Sequence, residues 1–169
     1  MTDEADYNDP DHCTVGVIGE VGHRLFLFYC RQGLNETTVK VEKQQIAVLA
    51  SYLGRIVKEL GRPGHLPDDL SFDGTEDPEW VVGTIGVSYD EELDRVVVVL
   101  EEVHDEEEED AESGHVLRIA LTREQAAAFA IHATRLVEAG RPPCPLCGLP
   151  LDPSGHDCPR TNGHRPPVT

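Results

Sequence analysis

The chain is short of positive charge. Its 169 residues hold 14 Lys and Arg against 32 Asp and Glu, a formal net charge of −18. Non-specific affinity for DNA or RNA comes from neutralising phosphates with Lys and Arg, so the main domain is not expected to bind nucleic acid. The same balance disfavours an anionic membrane surface and favours a basic protein partner. Long apolar runs are also missing, and none approaches the roughly 20 residues of a membrane span. The opening MTDEADYNDPDHC has neither a basic start nor an apolar core. No signal peptide is expected there, and the protein is assigned to the cytoplasm. Gly-x-Ser-x-Gly, Walker and HExxH signatures are absent. The Gly-bearing runs Val15–Gly19 and Val82–Gly86 lead into no helix, so they read as strand ends or bulges rather than phosphate loops. His23, His65, His104, His115 and His132 form no local cluster. Whether the chain is an enzyme stays open at this point, with the balance against it.

Apolar residues make up 39% of the chain, enough for one core plus a small appendage. Residues 1–12 are polar and acidic and read as a flexible arm. Short β-branched and apolar runs follow over 13–33. The segment ETTVKVEK then alternates like a half-buried strand, with Val39 and Val41 on one face. From Lys43 to Leu60 the period changes. Ile46, Leu49, Ala50, Leu53, Ile56, Val57 and Leu60 fall on one helical stripe, stopped by Gly61 and Pro63. Residues 61–77 are rich in Gly, Pro and Asp and read as a linker. Strands are expected at 80–87, 95–103 and 115–121, and a second helix at 122–139.

That order contains an internal repeat. VGVIG (Val15–Gly19) matches VGTIG (Val82–Gly86), and EKQQIAVLA (Glu42–Ala50) matches TREQAAAFA (Thr122–Ala130) without a gap. Both helices are followed by Gly-Arg-Pro. The expected fold class is α+β. Two β-β-β-α repeats, 13–60 and 78–140, would form an antiparallel sheet of about six strands, open or barrel-like, with two packed helices. The second helix has a mostly Ala face, so it is expected to pack closer to its neighbours than the first. A duplicated scaffold would carry a groove between its halves, with Lys43 and Gln44 at a groove edge as one reading. Ordinary helix N-terminal chemistry is the other.

The tail, 141–169, holds the most chemical stretch, CPLCGLPLDPSGHDC. Cys144 and Cys147 lie three apart, and His156 and Cys158 return after eight intervening residues. An extended His-x-Cys places both side chains on one side, so the four fit a Cys₃His zinc knuckle, with His164 as an alternative fourth ligand. Four protein ligands leave no open position, so the Zn²⁺ would be structural and would stabilise a tail too polar to fold alone. A metal-free tail and a Cys-x-x-Cys redox switch are the competing readings. Arg141, Arg160 and Arg165 make the tail locally basic, which leaves an RNA contact as a minor reading against a plain solvated terminus. Cys30 reads as a small core residue, and Cys13 has no assigned role. The acid run Glu101–Glu112 holds nine acids and reads as a solvated hairpin loop, or as a docking strip for a basic partner.

With these residues in view, the chain resembles the uncharacterised actinobacterial family called domain of unknown function 3090. VGVIGEVGHRLFLFYCRQG, VEKQQIAVLASYLGRIV and the end piece LTREQAAAFAIHATRLVEAGRPPCPLCGLPLDPSGHDCPRTNGHR carry the likeness. The resemblance implies no reaction. It implies a setting beside a histidine-phosphatase-like and a lipid-kinase-like protein, hence a shared pathway. Similar tails end Asn-Gly-Tyr-Arg where this one has Asn162-Gly163-His164-Arg165, which favours His156 over His164 as the ligand. The leading expectation is a non-enzymatic scaffold or adaptor that contains zinc and binds a protein partner. An enzyme or small-molecule binder with its site between the repeats is the alternative.

Overall fold

A computed structural model describes residues 4–20, 23–104, 114–139 and 145–146. The chain runs β1 (Glu4–Tyr7), β2 (His12–Ile18), β3 (Leu25–Gln32), β4 (Asn35–Val41), α1 (Lys43–Leu60), β5 (Val82–Asp90), β6 (Arg95–Glu102), β7 (Val116–Leu121) and α2 (Arg123–Glu138). The α+β class holds, with two helices among the described residues. The expectation of one antiparallel sheet of about six strands does not. The described strands form two sheets, one ordered β1-β7-β6-β5 and one ordered β2-β3-β4. Where the two sheets touch, Lys40 bridges Val81 in parallel, and Lys40 N–H donates to the Trp80 carbonyl at 2.9 Å. β4 ends one residue after that bridge and β5 begins one residue after it. The two strands meet end to start, so they cannot pair along their lengths.

The stretch expected to be a flexible arm contributes β1, which pairs in parallel with β7 from Glu4↔Val116 to Tyr7↔Ile119. One buried side chain holds this strand inward: Tyr7 Oη lies 2.7 Å from Thr37 Oγ1 on β4. The other pairings are antiparallel meanders, as short connections require.

The helices begin alike. Thr122 Oγ1 accepts the Gln125 N–H at 3.0 Å while Thr122 N–H donates to Gln125 Oε1 at 3.0 Å, a reciprocal cap that satisfies donors left open at a helix start. Glu42 N–H likewise donates to Gln45 Oε1 at 2.8 Å. Each glutamine then reaches out of its own helix. Gln45 Nε2 donates to the carbonyls of Val82 and Gly83, both at 3.2 Å, and Gln125 Nε2 to that of Pro10 at 2.7 Å. At the other end α1 stops at Gly61, whose φ of 99° an L side chain rarely adopts.

A single buried cluster joins both sheets and both helices. The inward faces of β3, β6 and β7 supply Phe26, Phe28, Val96, Val98, Leu100, Leu117 and Ile119, and the helices supply Ile46, Leu53 and Phe129. Phe28 and Phe129 meet with ring centroids 5.4 Å apart, tying β3 to α2. The outer face of the three-stranded sheet is covered too, by the stretch read as a linker. Thr14 Oγ1 donates to the Leu70 carbonyl at 2.7 Å, and a His12 ring nitrogen lies 2.7 Å from that of Ser71. Phe72 packs edge-on against Tyr29 at 5.8 Å and fills the space over Gly16, where a Cβ would stand 2.5 Å from its ring. Leu27 and Tyr29 are thereby buried on that face. A segment without regular secondary structure thus works as a strap.

Candidate functional site

The two helices stand differently to their strands, and a groove follows from the difference. α2 is lined with Ala126, Ala127, Ala128, Ala130 and Ala133, all buried. Small side chains let it lie close against β2, where a His132 ring nitrogen sits 3.0 Å from the Val15 carbonyl. In the gapless match of the two helices, Val48 takes the place of Ala128 and Tyr52 that of His132. These bulkier groups belong to the face of α1 turned toward β5. A groove of about 470 Å³ opens between them.

Gln44, Gln45, Val48, Leu49 and Tyr52 form the helical wall, and Gly83, Thr84, Ile85 and Val87 the strand wall. Val48 is 58% exposed and Tyr52 47%, high values for apolar bodies at such a junction. Ile85 and Val87 are partly buried and pack against the core from inside the groove. Polar lining comes mainly from amides and hydroxyls. The groove is therefore suited to burying apolar surface with a few orienting hydrogen bonds. Of the pair Lys43 and Gln44 expected at a groove edge, Gln44 lines this groove and Lys43 does not. The remaining lining was not foreseen. A signal existed: Gln44, Val48 and Tyr52 recur every four residues, beside the core stripe rather than on it.

A second cluster sits where the acidic stretch leaves β6. Glu102 Oε2 accepts the His115 backbone N–H at 3.0 Å and lies 2.7 Å from Nδ1 of the same residue. The backbone bond first, then the ring, holds the Glu102 carboxyl below its usual range. The His115 ring stacks on Trp80 at 5.9 Å, with 13° between the planes. This arrangement closes the ends of β6 and β7. A third network locks the β5–β6 turn to both helices. Asp94 accepts from Tyr89 Oη at 2.6 Å and from Arg123 Nε at 2.9 Å, and Arg123 Nη1 donates to the Leu60 carbonyl at 2.7 Å. The Tyr89 hydroxyl and then the Arg123 guanidinium hold the Asp94 carboxyl low. Its partners are all internal, so the network reads as a staple.

Cys13 and Cys30 face each other across β2 and β3, both buried. Burial, then the neighbouring Cys30 thiol, pushes the Cys13 thiol well above its usual value, so it is a poor nucleophile. Cys144, Cys147, His156, Cys158 and His164 lie outside the described residues, as do 105–112 of the acidic run. Among the described residues no group of three His, Cys, Asp or Glu is placed to hold a metal, and no described helix is long and apolar enough to cross a membrane. His65 and His132 stand apart on the linker and α2, while His104 at the β6 end and His115 at the β7 start both lie beside Glu102.

No curated protein and no solved structure matches the chain. One family model does, over residues 5–158, which takes in both meanders, both helices and the first part of the tail. The chain belongs to the family described as "Protein of unknown function (DUF3090)".

Proposed function

We propose that the protein is a non-enzymatic adaptor that binds a protein partner through the groove between α1 and β5. The observation that carries this reading is the exposed apolar wall of Val48 and Tyr52 standing over Ile85 and Val87, at the junction of the two β-β-β-α halves. Apolar side chains kept in water at a concave junction gain free energy when a partner covers them, by about 25 cal/mol per Å². The nine lining residues include one titratable group, Tyr52. That is a lining for recognition and gives little to acid–base chemistry.

The tail completes the proposal as a structural element. Cys144, Cys147, His156 and Cys158 are its donor set for one zinc ion. Three thiolates and one imidazole fill a tetrahedron, leaving the metal a folding role. The two halves are read as a duplicated scaffold in the cytoplasm, and the acidic balance favours a basic partner.

The test is site-specific photo-crosslinking in the native cell. A benzoylphenylalanine at position 52 should yield a discrete protein adduct, and one at the exposed Leu93 should not. Adducts with small molecules alone from position 52 would replace the adaptor by the small-molecule reading.

A further inference from the structure

Among the described residues, the strand wall of this groove is an open sheet edge. β5 is the last strand of its sheet, paired on one side with β6. In an antiparallel pair every second residue turns its N–H and C=O away from its partner, so β5 presents a row of such groups beyond the groove wall. Natural edges are blunted by charge, proline or bulges. The opposite edge, β1, carries Glu4 and Asp6. β5 is blunted at its start, where the register slips between Val82 and Thr84 and Gln45 caps the Val82 and Gly83 carbonyls, and it carries a charge at its last residue, Asp90. From Val82 to Tyr89 it reads VGTIGVSY, eight residues with no charge and no proline.

The groove opens onto that edge. Its lining includes Ile85 and Val87, which face the core side, and Thr84, which faces away. An extended segment lying along β5 would meet the backbone row with its own backbone. Alternate side chains would drop between Val48 and Tyr52 on one wall and Ile85 and Val87 on the other. The corresponding place on the other half shows how the chain itself treats such a site. There the residues from Leu66 to Ser71 run beside α2 at Ala128, Ile131 and His132, and the Leu70 and Ser71 carbonyls are held by the Thr14 and His12 side chains of β2. No described segment plays that part at β5.

Charge decides the kind of occupant. β5 ends on Asp90, with Glu91 and Glu92 just beyond it, and across from its start stand Glu101 and Glu102 of β6. Two copies of β5 paired edge to edge would bring acidic ends together in either direction. A segment with an apolar middle and basic ends meets no such repulsion.

We propose that β5 is a strand-addition site, taking an extended partner segment with alternating apolar residues flanked by Lys or Arg. This rests on the adaptor reading above and specifies its partner. The probe is a fluorescent nonapeptide, Lys-Lys-Val-Thr-Val-Thr-Val-Lys-Lys, titrated against the full chain by anisotropy. Binding is expected, weakened about tenfold or more by Val48→Asp and by Tyr52→Ser, both at exposed positions. A peptide N-methylated at its three central residues, or flanked by Glu in place of Lys, should lose the same factor or more. If the N-methylated peptide binds equally, strand addition is wrong while docking in the groove survives. If the Glu-flanked peptide binds as well, the basic-partner assignment is wrong. No binding up to about 1 mM overturns the inference, and the crosslinking at position 52 then judges the adaptor reading by itself. A dimer of the wild type that Val48→Asp makes monomeric would also overturn it, because the occupant would be a second copy.

Discussion

Phe72→Ala tests whether the 61–77 stretch is part of the folded body. Phe72 lies half-buried, edge-on to Tyr29 and over Gly16. Truncating a fully buried Phe costs about 3–5 kcal/mol, so a half-buried one with a lost aromatic contact should cost about 2–3 kcal/mol. In urea, with a slope of about 2 kcal/mol/M, the midpoint should fall by about 1–1.5 M with the slope unchanged. A second readout comes from Tyr29. Burial first, then the Glu36 carboxylate that accepts its hydroxyl at 2.9 Å, pushes its phenol up to about 12. The sign follows from which state holds the proton. The folded state keeps it past the ordinary value of 10.0, so this contribution is complete below pH 10 and lost as pH rises toward about 12. Removing the Phe72 cover should bring the ultraviolet titration of Tyr29 back toward its ordinary value. A loss below about 0.5 kcal/mol, the range of an ordinary surface change, would refute the strap. So would an unmoved Tyr29 titration in a variant that does lose stability.

Two further outcomes are expected. Purified protein should hold one zinc per chain by elemental analysis, and the Cys144→Ser, Cys147→Ser pair should lose it. Metal-free native protein would end the zinc reading. Glu102→Gln should lower stability by about 1 kcal/mol at pH 7. Because the folded carboxyl lies below its ordinary value of 4.5, that contribution exists above pH 4.5 and fades as pH falls through the folded value. The melting-temperature gap between wild type and variant should therefore close in acid; a gap constant down to pH 3 would place the effect in packing.

Local patterns were legible in the residues. The stripe through Ile46, Leu49, Ala50, Leu53 and Val57 is buried as its spacing implies, and the helix ends at Gly61 with a positive φ. Val39 and Val41 point into the core together. What could not be read is what depends on distant partners. β1 is four residues, two of them acidic, and exists because β7, more than 100 residues later, offers it an edge. The split into two sheets depends on β4 meeting the residues just before β5, with Glu79 N–H bonded to the Thr38 carbonyl and Lys40 bridging Val81, a fact of chain direction and not of composition. The packing of the 61–77 stretch is silent in the sequence for a related reason. Gly, Pro and Asp mark a segment without helix or strand, and they are silent on whether it packs. Of the candidate site, Gln44 was visible as a polar group at a helix start. Its apolar companions came from two halves that only the fold brings together.

The groove is a product of the difference between the two helices. Had both helices carried the Ala-rich face of α2, each would lie close to its strand, as α2 lies to β2 at His132 and Val15. Val48 and Tyr52 prevent that at α1, and they do so with side chains left half in water. Such exposure costs stability in an isolated chain, by about 25 cal/mol for each Å² of apolar surface that closer packing would have covered. Replacing Val48 by Ala should accordingly leave the fold intact, since the residue is mostly exposed, while narrowing the wall that a partner would grip. A stabilised Val48→Ala chain with weakened capture of the peptide probe is what the reasoning expects. If affinity for the peptide were unchanged, Val48 would be a surface residue like any other, and the asymmetry of the helices would have no bearing on recognition.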